Sequence, residues 1–109
     1  MGRGTPSAAE VLRILIETEG AQTVCRLTGE LDSISAPRLR TVLGELIDTE
    51  VIVDLSGLEF IDSSGLGVLV GALKRFEASG HRLRLRAPTT AIQRVFSVTG
   101  LDQAFVVED

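Results

Sequence analysis

The run Asp62-Ser63-Ser64-Gly65-Leu66-Gly67 gathers a carboxylate, two hydroxyls and two glycines at a point where a helix is expected to begin. A helix start has unpaired N–H groups and a partial positive charge of about half an elementary unit. A phosphate bound or carried there gains hydrogen bonds and a favourable field. Three chemistries compete for these residue types. The first is capping, in which Asp62 or Ser63 accepts from an N–H of the next turn, worth ~1 kcal/mol. The second is a nucleophilic serine. Gly-x-Ser-x-Gly is absent, and the sole histidine, His81, lies beyond a helix ~24 Å long at 1.5 Å per residue. A Ser-His pair therefore fails on geometry. The third is nucleotide binding through Gly65-x-Gly67-x-x-x-Gly71. Its last glycine is one place late for the dinucleotide fingerprint, the position ~20 residues on is basic, and no P-loop Gly-Lys-Ser/Thr occurs. Glycines inside a helix cost up to ~1 kcal/mol each. Their expected use is close approach, either of helix to sheet or of a partner to the first turns of the helix.

Composition narrows the choice further. One Cys (Cys25) and one His exclude an internal disulfide, a cysteine zinc site and a two-histidine metal site. With four Phe and no Trp or Tyr there is no aromatic platform for single strands, and ten scattered Arg on a chain of net charge −4 make no basic face for DNA. Leu, Ile and Val number 33 among 109 residues, too many for a disordered chain and enough for one core. No apolar run approaches the ~20 residues of a membrane helix, and no signal peptide heads the chain. Pro6 stands where a myristoylation signal wants Ser or Thr. The expectation is a soluble, cytoplasmic protein that binds neither nucleic acid nor membrane, holds no metal or cofactor and is not an enzyme.

The elements that position the serines follow from periodicity. Residues 1–9 read as a flexible arm and 10–109 as one domain. Val11–Glu17 and Thr23–Leu27 are strands of a hairpin turning at Glu19-Gly20-Ala21, with Cys25 a small buried hydrophobe. Gly29 to Ser35 interrupts the strand pattern; Ser35 is the expected N-cap of a helix with Pro37 in its first turn. That helix has the stripe Leu39, Val42, Leu43, Leu46, Ile47. Val51-Ile52-Val53 is apolar on both faces, as in a central parallel strand, and runs into a loop. A second helix starts near Ser63 or Ser64, carries Leu66, Leu69, Val70, Leu73 and Phe76, and stops at Gly80. Arg82-Leu83-Arg84-Leu85-Arg86 alternates as a strand whose arginines are expected to form a solvated face rather than the alternative, a phosphate site. Thr89 or Thr90 caps a third helix bearing Ile92, Val95, Phe96 and Thr99, ended by Gly100, and Ala104–Val107 is a last short strand or a packed tail. The order β-β-α-β-α-β-α-β implies an α/β fold with a mainly parallel sheet, the first strand joining antiparallel. Asp32, after the second strand, then falls at the same sheet edge as Ser64; it is either a cap or loop residue, or a partner contact. Asp54 and Ser56 are expected to brace the loop by hydrogen bonds.

The chain resembles the STAS domains (sulphate transporter and anti-sigma factor antagonist). Asp62-Ser63-Ser64-Gly65-Leu66-Gly67 with Val53-Asp54-Leu55-Ser56 before it resembles their phosphorylation loop. Leu27-x-Gly29-Glu30-Leu31-Asp32, then Ala36-Pro37-x-Leu39-Arg40, and the closing Thr99-Gly100-Leu101-Asp102 match further blocks. The likeness covers roughly residues 10–108 and is nearest to stand-alone bacterial anti-sigma factor antagonists. The resemblance implies the STAS fold and, at the second serine of the pair, Ser64, a phosphate acceptor, with Ser63 as second choice. It implies that the unphosphorylated form binds an anti-sigma factor, itself a serine kinase of the histidine-kinase-like ATPase fold, and so frees the sigma factor. Phosphorylation ends binding, and a PP2C-type phosphatase resets the switch. Asp32, Asp62, Ser63, Gly65, Leu66 and Gly67 would then contact the partner. A STAS scaffold subunit without a phosphoswitch and a nucleotide-binding STAS module stay open as alternatives.

Overall fold

Alternating side chains on either side of a Gly20-Ala21 turn build the hairpin of β1 (Leu12–Glu19) and β2 (Gln22–Leu31) in the computed structural model, which describes residues 11–109. The arm expected over residues 1–9 lies outside the described residues. The chain continues through α1 (Ala36–Glu45), β3 (Val51–Ile61), α2 (Ser63–Ser79), β4 (Leu83–Arg86), α3 (Thr90–Thr99), a 3-10 turn (Leu101–Gln103) and β5 (Val107–Glu108). The five strands lie in the order β1-β2-β3-β4-β5, with β1 antiparallel to β2 and every other pair parallel. The chain order of the elements and the strand directions agree with the sequence expectation.

One face of the sheet carries the core. Leu12, Cys25, Leu27, Val51, Val53, Leu55, Leu83 and Leu85 pack with Leu39 and Leu43 of α1, Val68, Leu69, Ala72 and Phe76 of α2, and Ile92 and Phe96 of α3. Burial pushes the Cys25 thiol up to about 12, so it stays protonated and inert. Leu46 and Ile47 belong to the stripe foreseen for α1 but follow its last turn, half-buried. Thr89 caps α3 by accepting from the Ile92 N–H (3.3 Å), and Gly80 and Gly100 close α2 and α3 with left-handed backbone.

The last strand, expected over Ala104–Val107, forms at Val107–Glu108, and the larger differences from the sequence reading of the strands concern β2–β3 and β4. First, β2 and β3 run well past the points where alternation stops, to Leu31 and Ile61, so Gly29–Leu31 of the interruption and the loop stretch from Asp54 to Ile61 are strand, while Asp32–Ser35 is a turn as read. Beyond Asp54 the strand β3 pairs only with β2, and that ladder shifts register between Arg26 and Thr28 and between Gly29 and Glu30. Such bulges bend a strand and erase its period of two. Second, the arginines of β4 are not a simple solvated face. Arg86 pairs with Asp54 (2.9 Å) and Glu19 (3.1 Å), and Arg84 with Glu108 (3.3 Å); only Arg82 is exposed as expected. This face, opposite the helices, also holds the Arg26–Asp54 (3.3 Å) and Arg26–Glu17 (2.9 Å) pairs.

Candidate functional site

The long β2–β3 pair ends as a unit. Leu31 is in register with Ile61, and the Asp62 N–H donates to the Leu31 carbonyl (3.2 Å), so the residues after both strands emerge side by side. This brings Asp32 to the start of α2, as the sequence implied.

On the β3 side, Asp62 turns the chain into α2. Its backbone is extended (φ −110, ψ −174), and its carboxylate accepts from the Gly65 N–H at 3.1 Å. Asp62 is therefore the cap. Ser63 and Ser64 occupy the first two helical positions, Ser63 exposed and Ser64 half-buried. Neither hydroxyl bonds another described residue. Of the two capping candidates the structure selects Asp62, leaving both serine hydroxyls uncommitted beside the open amides of the first turn. Of the two uses foreseen for the glycines, Gly65 takes close approach of helix to sheet and not partner contact. It is buried, and a Cβ there would lie 2.7 Å from Leu31 Cγ and 2.8 Å from Ile61 Cγ1, so its job is to seat α2 on the strand ends, not to offer surface. Gly67 is exposed with nothing within 4 Å of a hypothetical Cβ, and Leu66 is half-buried.

On the β2 side, Asp32 organises its loop. Its Oδ1 accepts from the amides of Ile34 and Ser35 (both 3.0 Å) and from the Ser35 hydroxyl (3.1 Å), while the Asp32 N–H donates to Ser35 Oγ (3.0 Å). The Ser35 amide foremost, aided by the Ser35 hydroxyl and the Ile34 amide against some desolvation, holds the Asp32 carboxyl below its ordinary value. Ser35 occupies the N-cap position of α1 but makes no side-chain cap, because its hydroxyl is turned back to Asp32 and the Glu30 carbonyl (3.2 Å). Asp32 thus stays ionised, with Oδ2 free to face a partner. Two exposed apolar residues that sequence reasoning missed lie close in the chain to these loops: Ile34, two residues after Asp32 and 66% exposed, and Phe60, two residues before Asp62 and 47% exposed. An isoleucine in a polar turn, flanked by Ser33 and Ser35, is the signal that could have found the first.

Asp54 and Ser56 lie elsewhere. The Ser56 amide (2.9 Å) and hydroxyl (2.6 Å) donate to Asp54 Oδ1, but Asp54 points to the face opposite the helices and is 4% exposed. It precedes Asp62 by ~25 Å of strand at about 3.3 Å per residue. The pair braces the middle of the sheet, not the loop. His81 follows the far end of α2 as expected, near the Ser79 hydroxyl (3.4 Å), and no described group of three His, Cys, Asp or Glu could hold a metal. A groove of about 690 Å³ lies between α3 and the C-terminal segment, lined by Pro88, Gln93, Phe96 and Phe105 among others, and no residue of the serine loop borders it. Ser63 is exposed and Ser64 half-buried at the helix start, so both can be reached from outside the fold. No helix among the described residues is long and apolar enough to cross a membrane.

A mixed sheet with β1 antiparallel, helices on one face and a Ser-Ser pair capped by Asp at the start of α2 defines a STAS domain. A family model described as "Mlab, STAS domain" matches residues 14–108, and the chain belongs to this family. Among its relatives, the anti-sigma F factor antagonist of Lysinibacillus sphaericus is 37% identical over 82 residues, covering 72% of this chain and 70% of the relative. An anti-sigma factor antagonist from Mycobacterium paratuberculosis superposes with a TM-score of 0.82 at 27% identity, covering 94% of this chain and 90% of the other. The Bacillus anti-sigma factor antagonist SpoIIAA matches with TM-scores of 0.70 in its unphosphorylated form (27% identity, 89% and 88% coverage) and 0.69 in its phosphorylated form (28%, 89% and 91%).

Proposed function

We propose that this chain is an anti-sigma factor antagonist switched by phosphorylation of Ser64. The unphosphorylated form binds an anti-sigma factor through Asp32, Asp62, Ser63, Leu66 and Gly67 and releases the sigma factor; phosphorylation ends binding. The observation that carries this reading is the uncommitted Ser64 hydroxyl on an open helix start whose cap is supplied by Asp62. The names of the relatives support the class of partner. By the same reading the kinase is the anti-sigma factor itself, of the histidine-kinase-like ATPase fold, and a PP2C-type phosphatase removes the phosphate. The chain is then a cytoplasmic substrate and binding module, not an enzyme.

Charge explains the switch. A phosphate adds about −1.5 to −2 charges and three acceptor oxygens. The open first-turn amides of α2 can donate to its oxygens, so the fold need not change. SpoIIAA matches this chain equally well in both its forms, which accords with that. At a packed interface the dianion must be desolvated beside Asp62 and Asp32. A penalty of about 3 kcal/mol weakens binding roughly a hundredfold. Nucleotide binding by the chain itself is disfavoured because Gly65, the first glycine of the run, is spent on Leu31 and Ile61.

The test is incubation with the cognate anti-sigma factor and ATP, followed by phosphosite mapping and binding measurements. Label at Ser64, lost in Ser64→Ala, with Ser64→Asp binding at least tenfold more weakly, is the expected result. Label elsewhere would remove the Ser64 assignment. Tight binding by Ser64→Asp would favour a constitutive scaffold.

A further inference from the structure

The outermost strand of the sheet, β1, is eight residues long, and among the described residues no strand pairs with its outer edge. Natural edges are usually protected by proline, lysine, bulges or shortness. This strand, Leu-Arg-Ile-Leu-Ile-Glu-Thr-Glu, has no proline, glycine or lysine and pairs with β2 without a register break. Its midpoint is apolar and open, with Leu15 53% and Ile16 43% exposed. At the opposite edge β5 has only two residues.

The charge pattern of β1 identifies what fits it. Arg13 is exposed and makes no ion pair among the described residues, and the Glu17 side chain, although bonded to Arg26, is still 41% exposed. Leu15 and Glu17 oppose Arg26 and Val24 of β2, which puts Arg13, Leu15 and Glu17 together on the face away from the helices. Laid antiparallel against a second copy of itself about a two-fold axis at Leu15, β1 sets Arg13 opposite Glu17 twice. The same register sets Ile14 opposite Ile16 twice and Leu15 opposite Leu15. Slipping by two residues in either direction sets Leu15 opposite Glu17 or opposite Arg13, an apolar side chain against a charge. The strand is therefore complementary to itself in one register, as an isologous contact requires.

We propose that two copies of this chain associate edge to edge through β1, antiparallel about Leu15, merging two five-stranded sheets into one of ten strands. The serine loop is built from the ends of β2 and β3 and the start of α2, so association through β1 leaves both loops open. The inference is independent of the proposed phosphoswitch.

Analytical ultracentrifugation of the full chain should show a concentration-dependent shift towards twice the chain mass. Arg13→Glu and Glu17→Arg each turn both cross-strand pairs repulsive and should weaken the dimer roughly tenfold or more. An equimolar mixture of the two variants should regain it, because each repulsive contact becomes attractive across the mixed pair. Register is read separately by Leu15→Cys, which should form an intermolecular disulfide under mild oxidation. Thr18→Cys should not, its two copies standing ~20 Å apart at about 3.3 Å per residue. A chain that stays monomeric to about 1 mM, equal cross-linking at both positions, or pairing only with a strand of another protein would overturn the proposal.

Discussion

A methyl group on Gly65 would press on Leu31 and Ile61, whereas one on Gly67 would meet open space. The two positions are two residues apart in the same helix, so the pair separates packing from surface. Gly65→Ala should lower stability by about 1–3 kcal/mol through overpacking, less what helix propensity returns, and should tilt the turn that carries Ser64. Gly67→Ala should raise stability by about 0.5–1 kcal/mol, because an exposed helical glycine is costly and nothing obstructs the new group. Urea unfolding of the two variants checks both signs. In the same samples Gly67→Ala should bind the anti-sigma factor more weakly despite its greater stability, since a partner seated on the first turns loses its close approach. Unchanged affinity would remove Gly67 from the interface. Asp32 allows a similar separation. Asp32→Asn keeps an acceptor for the Ile34 and Ser35 amides, whereas Asp32→Ala leaves them unpaired. Thermal melts should therefore rank Ala below Asn, and a loss of partner affinity common to both would assign the carboxylate charge to binding.

The element that most constrains the site is the β2–β3 extension, and its weak point is Gly29. The backbone there has φ +105, and a Cβ would collide with the Val11 carbonyl oxygen. Gly29→Ala should cost on the order of 2–4 kcal/mol, read from denaturant midpoints, because both strain and clash fall on backbone that cannot move aside. A variant within about 0.5 kcal/mol of the parent would mean that the bulge is not rigid. The same residue explains why this part of the fold was hard to read. The helices were legible because their apolar residues recur at spacings of three and four, with Pro37, Asp62, Thr89, Gly80 and Gly100 marking ends. The parallel pairing of the later strands followed from the alternation of element types. The lengths of β2 and β3 were not legible, because two bulges break the alternation and Asp54, Ser56 and Gly57 look like loop residues. What holds Asp54 in a strand is Arg26 and Arg86, 28 and 32 positions away, and a local pattern cannot show that. The serine loop itself was legible as a cluster of residue types. That the capping would fall to Asp62 and the buried contact to Gly65 needed the geometry.

Across the whole molecule the face opposite the helices is tied by one ladder, Glu17–Arg26–Asp54–Arg86–Glu19, which joins β1, β2, β3 and β4. Asp54 is its centre: Oδ1 accepts from Ser56 twice, and Oδ2 faces both arginines. Burial alone would push this carboxyl up, but the Ser56 hydroxyl and amide, then Arg86 and Arg26, outweigh it and hold Asp54 below its ordinary value. Glu19 is lowered too, chiefly by its hydrogen bond from Arg86. A carboxyl whose folded pKa lies below its unfolded one binds fewer protons when folded, so its stabilisation is complete above the unfolded value of about 3.9 for Asp. It is lost as pH falls through the folded pKa. Stability should thus be nearly flat from pH ~7 to ~5 and should decline steeply below pH ~4. Asp54→Asn should cost about 1–3 kcal/mol at neutral pH, since the arginines lose their common anion while the Ser56 bonds can be kept. It should also flatten the acid limb, because the group whose protonation produces much of the decline is gone. Urea unfolding at a series of pH values compares the slopes of the two proteins directly. If the acid limb of Asp54→Asn runs parallel to that of the parent, Asp54 does not govern acid stability, and Asp32, also held below its ordinary value, becomes the next source to test.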